Sequence, residues 1–432
     1  MRRFLNSGQR PPANSVRIEE LINYFTYDYA QPQGEDPFSV NTELASCPWS
    51  DGHQLLRVGL QGKSVHVEER PATNVVFLMD VSGSMKSPDK LPLLKQGFQM
   101  MVQQLNENDR VSIVTYAGNA GVALSPTDGS QTKVINEAIE RLTSGGSTHG
   151  SAGIQLAYQL AQENFIKDGV NKVILATDGD LNVGVTRDGA LVKLIKQKAS
   201  EGVFLTVLGF GTGNLKDGKL EQLADNGNGM YSYIDSTREA HRVLVEQMSG
   251  SLVTIAKDVK IQIEFNPAVV KSYRLIGYEN RVLATEDFDN DQKDAGEIGA
   301  GHSVTAIYEI QPVGAVESAP KVPAGMKYQL SDAAANGELA TVALRYKQPD
   351  ANESKRIEVA VSGETKPFSK ASNDFRFAST VAGFGMLLRN SKYRGSINSQ
   401  HLLRSAGESI GDDISGYRAE FVDLIRKFDA IR

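Results

Sequence analysis

Asp80, Ser82 and Ser84 place three oxygen-bearing side chains at alternate positions directly after an apolar run. Residues 75–79 are all apolar, which is typical of a strand that is buried on both faces of a parallel sheet. Open α/β sheets bind their ligands in the loops that follow the carboxyl ends of their strands. The spacing therefore predicts a ligand site in the loop that begins at Asp80.

Two further polar motifs follow along the chain. Residues 145–148 read Gly-Gly-Ser-Thr and open a predicted helix, and residues 173–176 form a second apolar run that leads into Thr177-Asp178-Gly179. Thr148 would add a hydroxyl to the site, and Asp178 would add a carboxylate. Hard divalent cations such as Mg²⁺ prefer oxygen ligands of this kind, whereas zinc and copper favour softer nitrogen and sulfur donors. The donor types therefore favour a hard cation.

The three motifs occur in a fixed order on one predicted sheet, and this combination resembles the metal-ion-dependent adhesion site of the von Willebrand factor type A family. The resemblance implies that Asp80, Ser82, Ser84, Thr148 and Asp178 hold one divalent ion, with Mg²⁺ as the first expectation and Mn²⁺ or Ca²⁺ as alternatives. It implies that the hydroxyls contact the ion directly or nearly so, and that the aspartates often act through water. One coordination position would then stay open for an acidic side chain of a protein partner.

The elements around these motifs alternate between strand and helix. Over residues 70–252 short apolar runs are separated by helical patterns, which favours a mostly parallel sheet with helices on both faces. The number and order of these elements also resemble the von Willebrand factor type A fold. We therefore expect a doubly wound α/β domain over this range.

The flanking regions have different patterns. Residues 253–366 alternate apolar and polar side chains with period two, which predicts an antiparallel β domain, and residues 367–432 return to a helical pattern. Residues 1–69 contain a short helix and a few strands, which cannot be stable alone. We predict that these strands complete a β-sandwich, so that the α/β domain is an insertion within it.

An apolar stripe in the last helical segment admits two interpretations. It consists of Tyr417, Phe421, Leu424, Ile425, Phe428 and Ile431. Packing against the rest of the protein is the ordinary fate of such a stripe, and docking of a partner is the alternative.

The composition excludes several classes of function. The chain has 46 Lys and Arg against 52 Asp and Glu, a net charge of −6, which offers no electrostatic case for nucleic-acid binding. Cys47 is the single cysteine, so neither an intrachain disulfide nor a thiolate zinc cluster can form. No stretch approaches the roughly 18 apolar residues that a membrane span needs. We expect no membrane span within this chain.

Catalytic motifs find no match either. The sequence has no Gly-x-Lys-Ser/Thr phosphate loop and no His-Glu-x-x-His zinc motif. Gly209, Gly211 and Gly213 suggest a dinucleotide loop, but the spacing fails because Asn214 stands where the third glycine belongs. Tight-turn glycines after a strand explain this segment better. We therefore expect a protein that is not an enzyme.

The resemblance extends to bacterial proteins that carry a von Willebrand factor type A domain between flanking domains of unknown function. It implies a metal-dependent protein-binding module for adhesion or assembly, located at the cell envelope or in the periplasm. Two alternatives stay open: a cytoplasmic assembly or chelatase-like subunit that acts with a separate ATPase, and an adhesin that binds extracellular matrix. The sequence predicts no oligomeric state.

Overall fold

The computed structural model describes two compact units. The first combines Met1–Lys63 with Ile255–Arg432, and the second is Ser64–Thr254. The described residues are 1–65, 70–147, 150–179, 188–212, 215–247, 253–278, 288, 296–314, 337–349, 351 and 353–431.

Both units are built on β-sheets whose strands are numbered in chain order. The strands are β1 (Phe38–Ser46), β2 (Gln54–Gly62), β3 (Thr73–Asp80), β4 (Arg110–Tyr116), β5 (Ala120–Asp128), β6 (Val170–Thr177), β7 (Val203–Phe210), β8 (Tyr231–Ile234), β9 (Thr254–Phe265), β10 (Val270–Leu275), β11 (Gly296–Gly299), β12 (Ser303–Pro312), β13 (Glu338–Lys347) and β14 (Ser354–Ser362).

Helices cover the sheet of the second unit, and in the first unit they come from both ends of the chain. They are α1 (Arg2–Asn6), α2 (Ile18–Ile22), α3 (Leu91–Val102), α4 (Thr132–Glu140), α5 (Gly150–Glu163), α6 (Asp188–Ser200), α7 (Asp217–Asn226), α8 (Thr237–His241), α9 (Asn373–Leu388), α10 (Ser399–Glu408) and α11 (Tyr417–Ala430). A 3₁₀ turn covers Gly83–Lys86, and a π-helical segment, Arg242–Gln247, continues α8.

The second unit is a six-stranded sheet with the strand order β5-β4-β3-β6-β7-β8. Among the described strands of this sheet, β5 runs antiparallel to β4 and the other pairs are parallel. Every residue of β3 is buried, as expected for a central strand with helices on both of its faces. One core cluster lies between the sheet and α3, α4 and α8, and the other lies between the sheet and α5, α6 and α7. The predicted doubly wound, mostly parallel architecture is confirmed.

The first unit contains two four-stranded antiparallel sheets. Their orders are β1-β2-β12-β10 and β11-β9-β13-β14. A hydrophobic core joins them, with Leu56 and Val58 from the first sheet and Val342 and Val361 from the second. Because β2 pairs with β12, a strand that precedes the α/β unit lies beside one that follows it. The prediction that the early strands complete the β-sandwich, with the α/β unit as an insertion, is confirmed.

Helices from both chain ends share one core in the first unit. Ile18 and Ile22 of α2 belong to the same buried cluster as Phe375 of α9 and Phe421 and Ile425 of α11. The side chain of Ile425 is fully buried. The apolar stripe of the last helix therefore packs against the protein's own core.

No helix in the part of the chain that the structure covers combines the length and the apolar character required to cross a bilayer. Cys47 is a free, buried cysteine.

Candidate metal centre

Asp80 ends β3, and donors from three parts of the unit orient its carboxylate. Its side chain is fully buried. The backbone N–H of Ser82 donates to Oδ1 over 2.9 Å, the hydroxyl of Tyr116 donates to Oδ2 over 3.3 Å, and the hydroxyl of Thr177 donates to Oδ2 over 3.2 Å. A buried carboxylate requires such partners, because an unpaired one would lose its hydration without compensation. The carboxylate is thus held in one orientation at the carboxyl edge of the sheet.

Burial also sets the electrostatics of this carboxylate. Desolvation raises the pKa of Asp80, the hydrogen bonds from Ser82 oppose that rise, and the neighbouring charge of Asp178 adds to it. Desolvation raises the pKa of Tyr116 well above its ordinary value, so this hydroxyl keeps its proton and acts as a neutral donor. The environment disfavours an isolated negative charge on Asp80, and a nearby cation would relieve that cost.

Ser82 directly precedes the 3₁₀ turn that follows Asp80, and Ser84 lies on that turn. Ser82 is 1% exposed, whereas Ser84 is exposed to solvent. Met85 of the same turn is fully buried in the core cluster between the sheet and α3, α4 and α8. Its side chain therefore anchors the turn. The two serine hydroxyl oxygens lie 3.0 Å apart. One hydroxyl therefore lies at the base of the centre and the other at its mouth.

Backbone contacts bring the Gly-Gly loop against this turn. The N–H of Gly145 donates to the carbonyl of Val81 over 2.8 Å, and the N–H of Gly83 donates to the carbonyl of Gly146 over 3.1 Å. Gly146 has a φ of +79°, a left-handed conformation that glycine adopts without strain. Thr148, which was predicted to add a hydroxyl to the centre, lies outside the described residues, and so does its neighbour His149.

Asp178 follows β6, whose residue Ala176 pairs in register with Met79 of β3. Its side chain is buried, with 2% of the residue exposed. The ammonium of Lys90 donates to its Oδ2 over 2.8 Å and to the backbone carbonyl of Ser84 over 2.9 Å. The two predicted aspartates thus end adjacent parallel strands, and a lysine links the second of them to the serine turn.

The donor set fits a hard divalent cation. No group of three or more His, Cys, Asp or Glu side chains converges anywhere in the described ranges, so hydroxyls must supplement the two carboxylates of this centre. Mg²⁺ binds oxygen at about 2.0–2.1 Å, so neighbouring ligands of its octahedron lie about 3.0 Å apart. The Ser82 and Ser84 hydroxyl oxygens are hydrogen-bonded to each other at 3.0 Å, a separation that is also close to that edge. The arrangement is suitable for a small, hard, octahedral ion.

Three family models match successive parts of the chain. Residues 74–247 match the von Willebrand factor type A domain, residues 250–431 match a family described as uncharacterized protein YfbK, C-terminal, and residues 1–57 match one described as von Willebrand factor. The uncharacterized protein YfbK of Escherichia coli (strain K12) is 42% identical over 438 residues, covering 100% of this chain and 76% of that relative. The chain belongs to the YfbK family. Its α/β unit is a von Willebrand factor type A domain.

Other similar proteins share parts of the YfbK-family chain. The uncharacterized protein sll0103 of Synechocystis is 28% identical over 239 residues, which are 54% of this chain and 55% of that protein. A solved von Willebrand factor type A protein from Catenulispora acidiphila is 14% identical, covers 93% of this chain and 91% of its own, and gives a TM-score of 0.48.

The structure adds residues to the centre of this YfbK-family protein that sequence reasoning did not identify. Asp80, Ser82, Ser84 and Asp178 lie at the sheet edge where they were expected, but Lys90 and Tyr116 were not singled out. Lys90 lies 88 residues before the aspartate that it contacts, and Tyr116 lies 36 residues after Asp80. The only sequence signal for Tyr116 is its position at the end of the strand adjacent to β3, where side chains face the same edge.

Proposed function

We propose that this centre binds one divalent ion, most favourably Mg²⁺, and through it an acidic side chain of a protein partner. Von Willebrand factor type A domains are typically protein-interaction modules, and their interactions are often metal-dependent. The observation that carries the proposal is the pair of serine hydroxyls 3.0 Å apart, at the same carboxyl edge of the sheet as two buried aspartates.

The residues would divide the work of holding the ion. Ser82 and Ser84 would offer neutral hydroxyl oxygens, and the buried carboxylates of Asp80 and Asp178 would offset the charge. Thr148 would complete the set, as the resemblance implies. The ion would supply a Lewis-acidic position for an incoming carboxylate. Because hydroxyls carry no charge, a hydroxyl-rich set leaves much of the ion's charge uncompensated and so favours an anionic ligand.

Metal binding is tested by calorimetry on variants of Asp80. Both Asp80→Ala and Asp80→Asn should lose measurable affinity for Mg²⁺ and Mn²⁺, because a hard cation needs the anionic ligand more than a neutral one. The asparagine variant keeps the shape of the side chain, so it separates loss of charge from the three hydrogen bonds that alanine removes.

Glu163→Gln provides a matched control. It removes the same charge from an exposed position in the last turn of α5 and should bind metal like the wild type. An Asp80→Asn variant with unchanged metal affinity would show that the ion is not held here.

The partner is tested by capture from cell extract on the immobilised wild-type protein. A protein retained in Mg²⁺ and released by a chelator is expected, and Asp80→Asn should not retain it. Retention that persists in chelator would contradict metal-mediated recognition. The proposal also places the protein at the cell envelope, as the family resemblance implies, and fractionation of cells that produce it from the complete gene tests that location.

A further inference from the structure

Lys90 bridges the serine turn and Asp178 in the centre. Its ammonium lies 2.8 Å from Oδ2 of Asp178 and 2.9 Å from the carbonyl oxygen of Ser84. The lysine side chain is 14% exposed and that of Asp178 is 1% exposed, so the pair is largely removed from water. An ion pair of this burial interacts far more strongly than one on the surface, because solvent screens it less.

The stem of this lysine is held by a glycine on a neighbouring strand end. Gly211, directly after β7, has a φ of +72°, and a Cβ atom there would lie 2.7 Å from Cγ of Lys90. The hydroxyl of Tyr233 donates to the carbonyl of Gly211 over 2.9 Å, which holds this backbone in place. Lys90 itself directly precedes α3, and its carbonyl accepts the N–H of Leu94 over 2.8 Å. Both ends of the side chain are therefore positioned by the fold.

Lys90 reduces the net negative charge of the centre. Asp80 and Asp178 contribute two carboxylates, and the ammonium of Lys90 cancels the charge of one of them. A divalent ion would therefore meet one uncompensated negative charge from these three residues instead of two. Removing a negative charge from the surroundings weakens the binding of a cation and strengthens the attraction of the bound cation for an anion.

We propose that Lys90 is a positioning residue that sets the balance between the affinity for the metal and the affinity of the bound metal for a carboxylate, an inference that rests on the proposed function. By pairing with Asp178 it keeps the bound ion short of negative charge, and a carboxylate from the partner supplies what is missing. The lysine lowers the affinity for the metal alone and raises the affinity of the metal-loaded centre for an acidic ligand. Lys90 thus acts on Asp178, and the partner's carboxylate acts on the ion.

A merely structural role for Lys90 makes a different prediction. If the lysine only braced the serine turn through the carbonyl of Ser84, its removal would loosen the turn, and the affinities for metal and for carboxylate would fall together. The electrostatic role predicts changes of opposite sign. This difference separates the two accounts without knowledge of the natural partner.

The experiment compares the full chain with Lys90→Met, Lys90→Arg and Lys86→Met. Lys86 lies exposed on the same turn, so its substitution removes an equal charge that is already screened by water. Mn²⁺ affinity is measured from the free-ion paramagnetic resonance signal. Acetate is then titrated into the Mn²⁺-loaded protein at constant ionic strength, and its binding is followed by the relaxation of water protons.

Lys90→Met should bind Mn²⁺ about tenfold more tightly and acetate about tenfold more weakly, the order of change expected for one partly buried charge. Lys90→Arg should restore both affinities most of the way, and Lys86→Met should differ from the wild type by less than about twofold.

Two results would overturn the inference alone: unchanged affinities in Lys90→Met, or a fall in both. A wild-type protein that does not bind Mn²⁺ would overturn the proposed function, and the inference with it.

Discussion

At the scale of single residues, the centre places both carboxylates and the Ser82 hydroxyl in the interior and leaves the Ser84 hydroxyl at the surface. Ser84 is exposed, whereas Asp80 and Asp178 are buried and each is paired with a specific donor. Buried carboxylates need such pairing to stay in one orientation, and exposed hydroxyls are free to exchange water for a ligand. The hydroxyl of Tyr116 belongs to this supporting set, because it donates to Asp80 from the adjacent strand.

Tyr116→Phe should lower the free energy of unfolding by about 1 kcal/mol, the usual net contribution of one buried hydrogen bond. Urea denaturation in the presence of chelator measures this loss without interference from bound metal. Tyr158 is the matched control, because it is equally buried and its hydroxyl has no hydrogen-bond partner within the described residues. Tyr158→Phe should leave stability unchanged or raise it slightly, and equal losses in the two variants would refute the assigned role of the Tyr116 hydroxyl.

At the scale of elements, the centre depends on close approach between helices and strands. Gly153 of α5 faces Tyr116 of β4, and a Cβ atom at residue 153 would lie 2.9 Å from Cβ of Tyr116. Gly97 of α3 similarly faces α8 and the π-helical segment that follows it, where a Cβ atom would lie 2.8 Å from Cδ1 of Leu244. These glycines let the helices lie close to their neighbours, and in α5 that approach helps to hold the tyrosine beneath Asp80.

Gly153→Ala should destabilise the protein by about 1 kcal/mol. The gain in helix propensity, up to about 1 kcal/mol, is outweighed by overpacking, which costs about 1–3 kcal/mol. Gly189→Ala in α6 is the control, because a Cβ atom there meets nothing within 4 Å, and it should stabilise by about 0.5 kcal/mol. Thermal and urea unfolding of both variants would check this, and a Gly153→Ala variant as stable as Gly189→Ala would contradict the close-packing argument.

At the scale of the whole molecule, the first unit is assembled from both ends of the chain. β2 pairs with β12 over eight residue positions, and α2 shares a core with α9 and α11. The two ends of this unit that flank the insertion are adjacent, because a Cβ atom at Gly62 would lie 2.8 Å from Cδ1 of Ile255. A short linker could therefore join these two ends in place of the inserted domain.

Excision of residues 64–254, with Lys63 joined to Ile255 through a short glycine–serine linker, should give a folded protein. The closure of a short loop between adjacent ends costs little entropy. Circular dichroism and a cooperative urea transition would report the fold. The fragment 255–432 alone is the control, and it should fail to fold because β12 loses its neighbour β2 and the helical core loses α2. A control fragment as stable as the joined chain would show that the early segment is dispensable.

The sequence by itself determined the strand that carries Asp80, the alternation of helix and strand around it, and the change to period two after the α/β unit. Each of these is a local pattern, because burial on both faces, on one face or on a helical stripe leaves its own spacing of apolar residues. The Asp-x-Ser-x-Ser spacing was similarly local, and the order of the three motifs placed Asp178 with it. The carboxyl ends of adjacent parallel strands must meet at one edge, so this part of the centre followed from topology.

Only the tertiary structure decided which distant side chains complete the centre. Lys90 reaches Asp178 because α3 begins beside the serine turn and Gly211 leaves room for its stem, and Tyr116 reaches Asp80 because β4 lies next to β3. An exposed lysine and a paired one have the same local sequence signature, since neither periodicity nor composition records what a long, flexible side chain contacts. Contacts of this kind are fixed by the packing of the whole domain, and for that reason the charge balance of the centre could be read only from the folded protein.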